Sequence, residues 1–235
     1  MAGWLFTTTA RLGPVRPRPL AISDGERMIL LLLFGLGLVV ALIRGGSFRN
    51  LATLRVRHAW LPLVAFGLQA AFVLFPPDLT LIPTWVRTAI VILTYGGMIS
   101  FLLLNLALPG ARLLLVGAAL NAAVMSANYG FMPVTPEALA RAGHTGYIVS
   151  QGSYSFVQRS KDIVLERQDT RLWFLSDVFG IPAPLPFSSN FSPGDLLIGA
   201  GAAWLIYVGL TKPLGASKRA ATAVAGAAGF TPADR

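Results

Sequence analysis

Apolar residues gather into five runs, at 28–43, 59–75, 88–108, 113–127 and 196–210. None of them has an Asp, Glu, Lys, Arg or His in its central stretch. A helix needs about 20 residues, at roughly 1.5 Å each, to cross a bilayer, and polar flanks lengthen the two shortest runs. Ser23-Asp24-Gly25-Glu26 has the form of a capping box, with Ser23 as N-cap and Glu26 reaching back from the third position. Gly45-Gly46 then offers a stop. Ser192-Pro193-Gly194-Asp195 repeats the device: Ser192 caps, Asp195 reaches back, and Pro193 takes the first helical position, where its missing N–H costs nothing. Lys212-Pro213 closes that segment. The pattern predicts an all-α membrane protein with five transmembrane helices.

The punctuation between the runs sets the organisation. Residues 1–23 read as an extended arm, since Arg16-Pro17-Arg18-Pro19 favours polyproline geometry. Residues 24–134 hold the first four helices, broken at the basic 44–58 loop, at Pro76-Pro77-Asp78 and at Pro109-Gly110. Residues 135–191 form an extramembrane region. There Thr135-Pro136-Glu137 starts a short helix, Thr170 caps a second one running to Phe179, which lies flat at the interface or packs on the outer ends of the spans, and the proline-rich stretch 181–186 leads back to the membrane. The fifth helix covers 192–212, and an Ala/Gly-rich tail covers 213–235.

Charge adds an orientation. Arg44, Arg49, Arg55 and Arg57 share one loop with no acid, and Arg112, Lys212, Lys218 and Arg219 fall on the same side. The rule that basic loops stay inside places that side in the cytoplasm, although Arg11, Arg16, Arg18 and Arg27 oppose it. The acids of the two capping boxes begin the first and last helices, and Arg44 and Lys212 end them, so both helix dipoles agree. The expected topology is N-terminus outside and C-terminus cytoplasmic, in a bacterial inner membrane.

At 54% hydrophobic and 12% charged, the chain is too apolar for an ordinary soluble domain. Its net charge of +9 is spread over loops beside apolar runs, which suits anionic lipid rather than nucleic acid. With no cysteine, thiolate metal sites and iron–sulfur clusters are excluded. The two histidines, His58 and His144, fall on opposite faces of the expected topology and cannot share a haem. No catalytic, cofactor or metal site is expected, and lipid or quinone contact is the expected kind of small-molecule contact. Asp177, Asp195 and His144 share the outer side, and an acid–base site there is the alternative reading; a small-solute carrier is another. Neutral Asn105 and Asn121 suit hydrogen bonds between helices, worth ~0.6 kcal/mol each. Gly117 on the fourth helix, with Gly199, Gly201 and Ala203 on the fifth, makes small-residue faces for close helix approach, to a partner or within the chain.

Several stretches carry a resemblance. They are Arg44-Gly45-Gly46-Ser47 through Gln69, then Asn128-Tyr129-Gly130-Phe131-Met132-Pro133-Val134, then Phe174-Leu175-Ser176-Asp177 followed by Phe191-Ser192-Pro193-Gly194-Asp195. In order and spacing the chain resembles a bacterial membrane family known as domain of unknown function 5317, over about residues 28–210. Asn128, Gly130, Met132, Pro133 and Asp177 are the residues that match its pattern. The arm 1–27 departs from it. The resemblance implies the architecture and no established activity. Together with the neutral spans it leads to the expectation of a non-catalytic accessory subunit of a larger bacterial membrane complex. Its partners would be other membrane subunits and lipids. The bacterial setting of the family suggests an energy-transducing assembly, quinol-oxidising or photosynthetic.

Overall fold

The computed structural model describes residues 25–74, 83–151, 154–157, 162–183 and 188–212. The Ser23 cap, the Glu26 side chain, the Pro76-Pro77-Asp78 break, the arm 1–23 and the tail 213–235 lie outside the described residues. Helix α1 (Gly25–Ile43) stops where the glycine pair predicts. The Gly45 N–H donates to the Leu42 carbonyl at 3.0 Å and the Gly46 N–H to that of Ala41 at 2.9 Å, the bond pair of a Schellman stop. A short α2 (Phe48–Leu51) follows, capped by the Ser47 hydroxyl, then α3 (Trp60–Leu74) and α4 (Thr84–Leu104). Relative to the 88–108 apolar run, α4 starts and ends earlier, which brings Arg87 into its opening turns. Pro109-Gly110 turns the chain into α5 (Ala111–Ala127), with Gly110 at φ 76°.

The region after α5 corrects the all-α expectation. The structure is mostly helical, but it also contains two β-sheets. The elements run β1 (Met132–Val134), α6 (Pro136–Ala142), β2 (Ile148–Gln151), β3 (Tyr154–Val157), β4 (Asp162–Val164), β5 (Phe179–Ile181) and β6 (Ser189–Phe191). One sheet has the order β1-β4-β3-β2, with β1 parallel to β4 and the other pairs antiparallel. The other pairs β5 with β6, stacking Phe179 on Phe191 at 5.7 Å between ring centroids. Strands of three or four residues leave too little alternation for a period to emerge from sequence. Their Ile, Val and Phe content is the trace they leave.

The short helix at Thr135 forms as expected: its hydroxyl accepts the Ala138 N–H at 3.2 Å, and α6 ends at Gly143. The expected helix from Thr170 to Phe179 does not form. The Thr170 hydroxyl instead donates back to the Glu166 carbonyl at 2.9 Å, and Leu172 turns to φ 53°. Residues Trp173–Leu175 make a single tight turn ahead of β5.

Helix α7 (Pro193–Thr211) is the axis of the bundle. Leu33 and Gly37 of α1 meet Gly199 and Ala203 in the same order, so α1 and α7 run parallel. Gly117 and Gly110 of α5 meet Gly194 and Gly201 in reverse order, so α5 runs antiparallel to α7. Helix α4 lies on α5, and α3 lies on α4. The bundle therefore has a loop end, formed by residues 44–58, the α4–α5 turn and the close of α7. Its opposite, sheet end carries β1 to β6.

Strand β1 is the joint between the two parts. Met132 joins the buried cluster of Val91, Tyr95, Leu102, Val124 and Met125 in the bundle. Val134 packs with Ala138, Leu139 and Val157 of the sheet unit, and Phe131 with Phe156 and Ile163. Among the described residues, two helices, across Trp85–Leu104 and Pro193–Thr211, are long and apolar enough to cross a membrane. The apolar parts of α1 and α5, Ile29–Ile43 and Ala111–Ala127, are shorter, so five crossings do not follow from helix length alone.

Candidate functional site

At the sheet end, the start of α7 and the last turns of α5 enclose a polar node of Asn121, Ser192 and Asp195. All three are sealed, at 1%, 0% and 2% exposure. The capping box read from sequence is complete. The Ser192 hydroxyl accepts the Asp195 N–H at 3.0 Å, and the Asp195 carboxylate accepts the Ser192 N–H at 2.9 Å. Asn121 joins it from α5, donating to Asp195 Oδ1 at 2.8 Å. The Ser192 hydroxyl proton has two acceptors to serve, Asp195 Oδ2 at 2.8 Å and Asn121 Oδ1 at 3.0 Å. The carboxylate also sits at the positive end of the α7 dipole. A serine beside a carboxylate would suggest nucleophile chemistry if a substrate could reach it. Here all three side chains are sealed, and Gly194 lets α7 approach Asn121 so closely that a Cβ would overlap its side chain. The node is a cap and a helix clamp.

The family-like segments converge around it. Asn128 ends α5, donating through Nδ2 to the Val124 and Arg171 carbonyls, each at 2.8 Å, while its Oδ1 accepts the Arg171 N–H at 3.0 Å. Tyr129 and Gly130 both take positive φ, and the Gly130 N–H returns to the Met125 carbonyl at 2.9 Å. Gly130 is required by contact as well, because a Cβ there would stand 2.9 Å from the Arg87 backbone carbon. Arg87 lies over the Phe131 ring at 5.1 Å. Pro133, in β1, accepts the backbone N–H of Asp177 at 3.1 Å, and Asp177 is 1% exposed. Asn190 donates to the Ala138 carbonyl at 3.0 Å, tying β6 to α6.

The small-residue faces are occupied within the chain. Gly117 meets the Gly194 carbonyl and Ile198, Gly201 meets Leu114 and Gly110, Gly199 meets Leu33, and the Ala203 backbone meets Gly37.

Each member of the acid–base trio makes contacts of its own. Asp195 belongs to the node, Asp177 is held on β1, and His144 follows α6 and faces Asn190. Burial lowers the His144 pKa, and the Asn190 contact opposes that shift. His58 lies at the loop end at φ 52°, so the histidines sit at opposite ends of the bundle.

Sequence reasoning gave Asn105 a neighbouring helix as its partner, where the structure gives it the 44–58 loop, and two further features it did not reach. The Asn105 side chain clamps the loop end, accepting the Arg57 N–H at 2.8 Å and donating to the Arg57 carbonyl at 2.9 Å. Arg87 packs against the Gly130 turn. Arg167 stacks on Trp173 at 3.6 Å beside a shallow open groove lined by Glu166, Gln168 and Thr170. An asparagine closing an apolar run was the available signal for the first. Nothing local announced the other two.

These observations define a mostly helical protein, compatible with a membrane location, whose one end carries a small sheet unit locked on by buried amides. The chain belongs to the family described as a family of unknown function (DUF5317), whose pattern it matches over residues 53–207. No curated protein and no solved structure matches it.

Proposed function

We propose that this chain crosses a bacterial inner membrane with α1, α3, α4, α5 and α7, and serves as a non-catalytic accessory subunit of a larger membrane complex. The observation that carries the reading is where apolar surface remains after the helices have packed. Leu31 is 62% exposed, Leu63 and Phe66 72% and Leu93 69%, on helices whose other faces are already engaged. Large apolar side chains left this exposed on several helices suit lipid or partner contact. Trp60 opens α3 at the loop end and Trp85 opens α4 at the sheet end, both exposed, the placement of two interfacial aromatic belts. Arg44, Arg49, Arg55, Arg57, Arg112 and Lys212 stand at the loop end, whereas Arg87, Arg141, Arg167 and Arg171 stand at the sheet end with the acids from Glu137 to Asp195. The larger number of described cations at the loop end supports a cytoplasmic loop end and an outer sheet end.

Two experiments test the reading. The sequence has no cysteine, so single cysteines at Arg49 and Gln168 report sidedness against an empty background. Labelling of Arg49→Cys from the cytoplasm only and of Gln168→Cys from outside only is expected; labelling of both from one side refutes the topology. Mild-detergent purification with mass spectrometry is expected to return partner subunits in fixed stoichiometry. Haem or iron–sulfur subunits among them would identify an energy-transducing assembly, quinol-oxidising or photosynthetic. A monodisperse lone chain refutes the accessory role.

A further inference from the structure

The loop end is built as a rigid platform, and its charge has no counterpart within the described chain. Residues 44–58 are pinned from beneath. The Ser47 N–H donates to the Leu210 carbonyl at 2.9 Å, Asn50 donates to the same carbonyl, Leu51 and Leu54 pack over Gly209, and Asn105 holds both backbone groups of Arg57. These contacts use backbone, amide and leucine groups and leave the cationic side chains outside. Arg44, Arg49, Arg55, Arg57, Arg112 and Lys212 are all exposed, and the described acids are at the opposite end of the bundle. Directly beside them Ile43, Phe48 and Trp60 are exposed too.

We infer that this face is a docking surface for anionic phospholipid, with the phosphate among the loop-end cations and the acyl chains along Ile43, Phe48, Trp60 and the open side of α3. Charge complementarity selects the occupant. Six exposed cations, with no described carboxylate at the loop end, suit a headgroup of net negative charge, and an apolar border within a few residues suits the attached chains. A zwitterionic lipid satisfies only the second. An acidic protein segment satisfies only the first. The inference rests on the proposed membrane crossing, because the acyl chains need the helix faces to be in lipid.

The test is native mass spectrometry of the full chain in detergent, titrated with dioleoyl phosphatidylglycerol or dioleoyl phosphatidylcholine. Phosphatidylglycerol is expected to be retained at least about five-fold more strongly, the effect of roughly one interfacial cation. The triple variant Arg49→Gln, Arg55→Gln, Arg57→Gln is expected to weaken the preference, and the sheet-end pair Arg141→Gln, Arg167→Gln to leave it unchanged. Glycerol phosphate, which has the charge without the chains, is expected not to displace the lipid. Equal retention of the two lipids, a preference undiminished in the triple variant, or displacement by glycerol phosphate overturns the inference. Because these guanidinium groups support none of the contacts described above, an unchanged circular dichroism spectrum is expected of the variant. The single substitution Arg55→Glu, expected to weaken retention, keeps the test intact if the triple variant misfolds. Cysteine sidedness is read independently, so loss of lipid preference and loss of the membrane topology are distinguishable.

Discussion

Exchanging glycine for alanine along this chain should separate the glycines that hold the bundle together from those that merely occupy it. Gly110 stands at φ 76°, where an alanine costs about 1–2 kcal/mol. Its Cβ would also enter the Gly201 carbonyl, an overlap that backbone movement must relieve, for about 1–3 kcal/mol more. The expected loss for Gly110→Ala is therefore about 2–5 kcal/mol. Gly201 is helical, so its alanine gains back about 1 kcal/mol of propensity. Against that gain, a Cβ would meet the Leu114 side chain at 2.8 Å and the Gly110 carbonyl oxygen at 2.9 Å, and packing in this crowded position should leave a net loss of about 1 kcal/mol. Gly96 and Gly97 on α4 have no atom within 4 Å of the added carbon, so Gly96→Ala should be neutral or stabilising by up to about 1 kcal/mol. Chemical unfolding of the detergent-solubilised chain, followed by far-ultraviolet circular dichroism, measures all three. Wild-type stability in Gly110→Ala, or an equal loss in Gly96→Ala and Gly201→Ala, would refute the packing of α5 on α7 given above.

Other outcomes follow from the buried amides and from His144. Asn121→Leu and Asp195→Asn, made singly and together, should show a coupling energy on the order of 1–2 kcal/mol in a double-mutant cycle, because a charged acceptor strengthens the bond between them; additive losses would place the two groups out of contact. Asn128→Ala should raise amide hydrogen exchange at Arg171 while leaving Arg57 protected, and Asn105→Ala should do the reverse. Because burial depresses the folded-state pKa of His144 below 6.5, the unfolded chain binds the proton more readily below that pH. Stability should therefore be full above pH 6.5 and fall as the medium is acidified, and His144→Gln should flatten that acid limb; an identical pH profile in the variant would remove His144 as its source.

How much of this was written locally can be judged residue by residue. Gly45-Gly46, Pro109-Gly110, Thr135-Pro136 and the Ser192–Asp195 box each state a helix end through short-range hydrogen bonds. The structure places helix ends at all four. The α4 boundary was misplaced because hydropathy marks the apolar residues of a helix and not its first turn, which here includes Arg87. The sheet was missed for a different reason. Met132–Val134 pairs with Asp162–Val164 across α6 and two intervening strands, so its ladder is non-local and its strands are three residues long. Thr170 illustrates the limit of reading caps alone. The hydroxyl finds a backbone partner as a cap would, but four residues behind it, and the chain turns instead of coiling.

The same device recurs at both ends of the bundle and explains why neutral asparagines serve where charges are absent. Asn105 closes α4 and Asn128 closes α5. Each donates to the carbonyl four residues earlier in its own helix, and each pairs with both the N–H and the carbonyl of one distant arginine. A primary amide alone among short side chains offers a donor and an acceptor side by side, so it can imitate a strand partner at a helix terminus. A carboxylate there would lack the donors and would carry a charge into a buried site, at a cost of several kcal/mol unless paired. In each clamp it is the arginine backbone that is held, and both guanidinium groups remain at the surface. Removing either amide should therefore loosen the loop's position before it alters the loop's charge, while substituting the arginines should alter charge and leave position intact. That separation makes the lipid preference of the loop end and the stability of the bundle independently measurable in one protein.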